Sequence, residues 1–141
     1  MENYKDYIKA EIKNLEAIEI KEQNIDGQDT IMFTIALNKK IFTFIVFHST
    51  HDGLVIIQTF TTFHASYSAP DVEFYQILDE MNLSSVLGNL FFTKEGENHH
   101  ISYRSNYLSR EDDFNGHSSF KEFLAASVGM IDKYDGELAI L

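Results

Sequence analysis

The chain reads as an α+β fold, an antiparallel sheet flanked by helices in the order α-ββββ-α-ββ-α. Three observations predict it. Residues 41–63, IFTFIVFHSTHDGLVIIQTFTTF, are two runs of β-branched and aromatic residues parted by His51-Asp52-Gly53, the pattern of a hairpin. Three other stretches carry apolar residues at helical spacing. Strand-like and helix-like runs are segregated rather than alternating, which separates α+β from α/β.

With 141 residues and no cysteine, the chain has no disulfide framework and no thiol chemistry. A single domain of this length buries roughly 68% of its unfolded surface. Eleven basic residues stand against 22 acidic ones, a net charge of −11. Nucleic acid and anionic membrane surfaces are disfavoured as partners, because both are bound by lysine and arginine. The N-terminal stretch MENYKDYIKAEIKNLE has no apolar core of the signal-peptide kind. The expected location is the cytoplasm.

The elements follow in order. Residues 2–16 form an amphipathic helix with Tyr4, Ile8, Ile12 and Leu15 on one stripe. Residues 17–25 form a strand with Ile18, Ile20 and Ile25 as its apolar set, closed by the turn Asp26-Gly27. Residues 30–37 alternate, with Ile31, Phe33, Ile35 and Leu37 facing one way. Asn38-Lys39-Lys40 turns the chain into the central hairpin, completing an antiparallel meander. On its first strand, Phe42, Phe44 and Val46 oppose Ile41, Ile45 and Phe47. A sheet solvated on one side should alternate apolar with polar. Strands apolar on both faces require either that both faces be covered or that a partner cover one.

Residues 64–70 break the strand pattern. Ser68 and Asp71 are spaced as a capping box, with Pro70 allowed in the first turn. A helix is expected over 69–81, with Phe74, Ile77, Leu78 and Met81 as its stripe and Asn82 as its C-cap. A second meander follows, with strands over 86–93 and 99–108. Gly88 marks a bulge or a close contact, and Ile101, Tyr103 and Tyr107 share a face. Residues 109–117 form a polar loop. Ser119 and Glu122 have capping-box spacing and open the last helix, whose stripe is Phe120, Phe123, Leu124, Val128, Ile131 and Leu138. Gly129 implies a close approach to that helix, and Gly136 ends it.

From about residue 60 to 138 the chain resembles the YbjN family, described as candidate bacterial sensory transduction regulators. The residues that carry the likeness are a helix ending in Leu78–Asn82, a strand with Gly88 then Phe91-Phe92, and the pair Tyr103-Arg104. A helix opening Ser119-Phe120-x-x-Phe123-Leu124 and reaching Asp132-x-Tyr134 completes it. The first third matches in general pattern. The resemblance implies a fold shared with type III secretion chaperones, frequent dimerisation, protein partners, and no catalytic residues to carry over.

Motifs for chemistry are sparse. His48, His51 and Asp52 sit at a strand end and its turn, a spacing that serves a metal or small ligand when the turn folds the rings together. His99 and His100 are adjacent in a strand and point apart. Glu111, Asp112 and Asp113 lack the alternating spacing of a calcium loop. No nucleophile elbow or phosphate-cradling glycine loop is present. What remains is apolar surface. The expected function is therefore a non-enzymatic, cofactor-free, dimer-prone module that binds another polypeptide through a sheet face or the last helix. Phe44, Phe60, Phe91, Tyr103, Phe120, Phe123 and Ile131 are the candidate contact residues. The alternative is a small-ligand or metal-binding module built on the His48/His51/Asp52 corner.

Overall fold

The computed structural model describes residues 3–67, 71–114 and 119–139. Three two-residue turns, Asp26-Gly27, Asn38-Lys39 and Asp52-Gly53, place both of their residues at positive φ. That turn geometry matches the right-handed twist of the flanking strands. It joins β1 (Glu19–Ile25), β2 (Gln28–Leu37), β3 (Lys40–His51) and β4 (Leu54–Tyr67) into the expected meander. A second hairpin, β5 (Asn89–Glu95) and β6 (Asn98–Arg110), adds its β6 side to β4. The result is one antiparallel six-stranded sheet in the order β1-β2-β3-β4-β6-β5.

Residues opposite one another in antiparallel strands share a face, so the register defines two surfaces. One row crosses the sheet as Ile20, Phe33, Phe44, Thr61, Tyr103 and Leu90. The next row, on the other face, is Lys21, Met32, Ile45, Phe60, Arg104 and Asn89. All three helices, α1 (Tyr4–Asn14), α2 (Val72–Leu83) and α3 (Phe120–Leu138), pack on the first surface.

Each helix has its own attachment there. Tyr4 of α1 sets its ring edge-on to His48 at 5.7 Å, and Ile8 and Ile12 are fully buried. Tyr7 meets Phe114 and Phe120, tying α1 to α3. Ser127 of α3 bonds Ser105 at 3.0 Å, and Ser105 also contacts the Thr59 hydroxyl. These three buried hydroxyls satisfy one another between sheet and helix, as buried polar groups must. The Tyr134 ring lies 6.0 Å from Tyr103, and its hydroxyl donates to the Met81 carbonyl of α2 at 3.3 Å. Phe74 and Tyr75 of α2 rest on Phe92, which points to the same side as Leu90.

Several local expectations change. β4 continues through residues 64–67, with a register irregularity between Thr62 and Ser66. The α2 cap is Asp71, whose carboxylate accepts from the Phe74 N–H at 2.8 Å; Ser68 and Pro70 lie outside the described residues. Asn82 lies within α2, where its amide clamps the Leu90 backbone at both N–H and C=O, fixing the start of β5 to the helix. Ser119 precedes α3 without a side-chain capping bond. Gly129 is exposed and a Cβ added there would meet open space, and α3 passes Gly136 to reach Leu138. Phe114, in the stretch expected to be a polar loop, is 1% exposed among Tyr4, Tyr7, Tyr107 and Phe120.

At Gly88 the close contact is real. Its φ is +75°, and a Cβ there would come within 2.7 Å of the Tyr103 hydroxyl, which donates to the Leu87 carbonyl. Gly88→Ala should lower unfolding stability by about 1–3 kcal/mol. Gly129→Ala, in an exposed helix interior, should raise it by about 0.5–1 kcal/mol. Urea midpoints of the two variants measure both, and the opposite signs make the comparison internal.

Candidate protein-binding face

The surface opposite the helices has no element of the described chain upon it. Its central positions are Met32 and Thr34 of β2, Ile41, Thr43, Ile45 and Phe47 of β3, and Ile56, Gln58, Phe60 and Thr62 of β4. Ile41 is 55% exposed and Ile56 43%; Leu108 of β6 is 63% exposed. Met32, Ile45, Phe47, Phe60 and Phe91 are half-buried. Phe60 and Phe91 stand 5.6 Å apart between ring centres, and the Arg104 guanidinium lies 5.2 Å over Phe91. Apolar side chains left in solvent beside one another are the mark of an interaction surface.

This face departs from the rest of the molecule in charge as well. From Gln28 to Thr62, the outward positions of β2, β3 and β4 carry no Asp, Glu, Lys or Arg. Charged residues stand instead on the helices, the turns and the outer strands, among them Asp29, Asp52, Glu73, Asp79, Glu80, Glu122 and Asp135. At its borders the face has Lys21, paired with Glu19 at 3.2 Å, and Arg104.

Of the seven residues expected to make protein contacts, the structure brings Phe60 and Phe91 together on this face. Phe44, Tyr103, Phe120, Phe123 and Ile131 lie in the core between sheet and helices, none more than 7% exposed. Burial pushes the Tyr103 hydroxyl pKa far above its ordinary value, so Tyr103 acts as a neutral donor. The exposed Ile41, Ile56 and Leu108 and the half-buried Ile45 were absent from the expected set. For Ile41, Ile45 and Ile56 the signal was in the alternation itself, since each stands at the opposite parity to its strand's buried residues.

The histidine corner does not converge. His48 points to the helix side and is 4% exposed, its Nδ1 lying 3.4 Å from the Tyr4 hydroxyl. His51, three residues on, points to the other face and meets only the exposed Asp52 carboxylate, at 3.3 Å. His64 bonds the Ile41 carbonyl at 2.6 Å. His99 and His100 diverge and have buried Nδ1 atoms without partners among the described residues; His117 lies outside these. Among the described residues no three of His, Asp and Glu are grouped to hold a metal.

His48 nevertheless borders a polar cleft of about 550 Å³ between α1 and the Asp26-Gly27 turn, across which Lys5 pairs with Asp29 at 3.3 Å. Burial lowers the His48 pKa below its ordinary value, against a weaker opposing pull from Asp29. The folded state therefore binds fewer protons than the unfolded chain. This contribution is complete above the unfolded-state pKa of about 6.5 and is lost as pH falls from there through the lowered folded-state pKa. Asp29 is shifted down, first by its bond to Lys5, so its own contribution is lost only below the ordinary carboxylate range. The Tm of His48→Gln should accordingly fall less than that of the parent between pH 7.5 and pH 5.

Neither a family model nor a curated protein matches the chain in sequence. The fold does match. A single antiparallel sheet with helices stacked on one side places this chain in an α+β class that already has a solved example. That example is YbjN of E. coli, whose crystal structure presents it as a candidate transcription regulator. It superposes with a TM-score of 0.57 at 11% identity, over 96% of this chain and 90% of that one. The YbjN-like fold expected from the resemblance over about residues 60–138 is therefore the fold observed. Among the described residues no helix is long and apolar enough to cross a membrane.

Proposed function

We propose that this chain is a non-enzymatic protein-binding module, regulatory or chaperone-like, that takes a polypeptide on the open face of its sheet. One observation carries the reading: the central strands are apolar on both sides, while every helix covers the same side. Phe60 and Phe91 are the anchors, with Ile41, Ile45, Ile56 and Leu108 around them. Phe44, Tyr103, Phe120, Phe123 and Ile131 support the face from beneath by packing the sheet against the helices. The net charge of −11 favours a protein over a nucleic acid as partner, and the absence of cysteine suits a cytoplasmic setting.

Burying half-exposed aromatic and branched side chains supplies affinity, while Arg104, held over Phe91, offers a bidentate donor at the rim. The test is retention from native lysate by the tagged chain and by Phe60→Glu, with circular dichroism confirming that both are folded. A polypeptide held near stoichiometrically by the parent and reduced at least tenfold on the variant is the expected result. Equal retention by both would remove the open face as the contact.

The cleft beside His48 supports a second reading, a site for a small polar ligand held by His48 and the Lys5–Asp29 pair. Because His51 and Asp52 lie on the other side of the sheet edge, that site would not include them.

A further inference from the structure

We infer that the polypeptide taken on the open face is an amphipathic α-helix, laid along the groove between β3 and β4 with its apolar stripe on the sheet and a carboxylate of its flank on Arg104. The inference rests on the reading of the open face as a protein-binding surface, and it gives that partner its chemistry.

Backbone chemistry selects a helix. A strand joins a sheet at an edge, where free N–H and C=O groups pair with its own. At the β5 edge, the Asn82 amide already takes both the N–H and the C=O of Leu90. At the other edge, β1 carries Glu19, Lys21 and Glu22, which discourage strand addition. The face itself offers side chains only. A strand laid on it would bury backbone groups without partners, whereas a helix satisfies its own.

Shape sets the length. The outward positions of β3 run from Ile41 to Ser49, with Ile45 opposite Phe60 and Ser49 opposite Ile56. At about 3.4 Å per residue this track is about 27 Å long, the length of a helix of roughly 18 residues. No Asp, Glu, Lys or Arg stands outward along it in β3 or β4, so an apolar stripe seats there without desolvating a full charge.

Charge sets the flank. Lys5, Lys9, Lys21, Lys40 and Lys133 are each ion-paired within the chain. Arg104 is exposed, lies over the Phe91 ring, and has no ion pair among the described residues. Its cross-strand neighbours are Phe60 and Asn89, and the outward residues beside it on β6 are Ser102 and Asn106, none of them charged. The other arginine, Arg110, stands next to Glu111, Asp112 and Asp113, which offset it. Arg104 lies one and a half strand spacings, about 7 Å, to one side of the groove, within reach of a carboxylate on the helix flank. A guanidinium takes such a group through two parallel bonds. The carboxylates of this chain's own helices lie across the sheet, beyond the roughly 8 Å over which charge acts at physiological salt.

Fluorescence anisotropy with three labelled synthetic peptides of about 18 residues tests this on the whole chain. Each has leucine at helical spacing; the first carries glutamate on one flank, the second lysine there, and the third is the first with two central prolines. The glutamate peptide should bind about tenfold tighter than the lysine peptide, and the proline peptide should not bind. Arg104→Glu should reverse the order of the first two. Phe60→Glu, and Thr43→Glu at an exposed central position, should each weaken the glutamate peptide at least tenfold, with circular dichroism confirming the fold. No binding of any peptide, equal binding of the glutamate and lysine peptides, an order unchanged by Arg104→Glu, or a proline peptide bound equally well each overturns the inference. So does a dimer in sedimentation equilibrium that Phe60→Glu dissociates, which gives the face to a second copy, or binding to phosphatidylglycerol vesicles lost in Arg104→Glu, which gives it to a membrane. If the inference falls while lysate capture still depends on Phe60, the open face remains a protein-binding site. If capture is also indifferent to Phe60→Glu, both readings fall.

Discussion

The central strands are more apolar than one layer of helices can cover. Phe42, Phe44 and Val46 of β3 are each at most 1% exposed beneath the helices, and Ile41, Ile45 and Phe47 stand on the reverse of the same strand. Because side chains alternate across a strand, no shift of register could bury both sets against one helical layer. The molecule satisfies one set internally and presents the other. Both the stability of the fold and the proposed binding surface follow from that asymmetry.

The helical side is held by a mixture of forces. Apolar burial dominates, but polar contacts determine where each helix lies. The Ser127–Ser105 bond registers α3 on β6, the Asn82 clamp registers α2 on the start of β5, and Tyr134 spans from α3 to Met81. Such bonds are costly to leave half-made in a low-dielectric interior, so they discriminate strongly against shifted packings. Phe114 joins β6 to α1 and α3, inserting one ring among four others. A well-registered helical layer fixes the strands from one side, which reduces the ordering cost of any association on the other.

Much of the architecture was legible residue by residue. The Asp26-Gly27 and Asp52-Gly53 turns, the Tyr4/Ile8/Ile12 stripe and the Phe120/Phe123/Leu124/Ile131 stripe all stand where local pattern places them. Errors gathered where a residue's role is set by something distant in sequence. Asn82 reads locally as a cap and is instead a clamp on Leu90. Gly129 reads as a packing contact and lies in solvent. Phe114 sits in a run of acidic and polar neighbours and is nonetheless core. At the site, Phe60 and Phe91 were legible as apolar excess, but five of their companions belong to the core.

The sequence alone determined the type of each element, the antiparallel meander and the presence of two apolar surfaces on the central strands, because all three depend on short-range periodicity and turn chemistry. Only the tertiary structure decided which surface the helices cover. Strand alternation is symmetric between the two faces, and a helix's stripe specifies that it must pack without specifying upon what. The choice lies in contacts such as Tyr4 with His48 and Tyr134 with Tyr103, between residues 44 and 31 positions apart, which no local window contains.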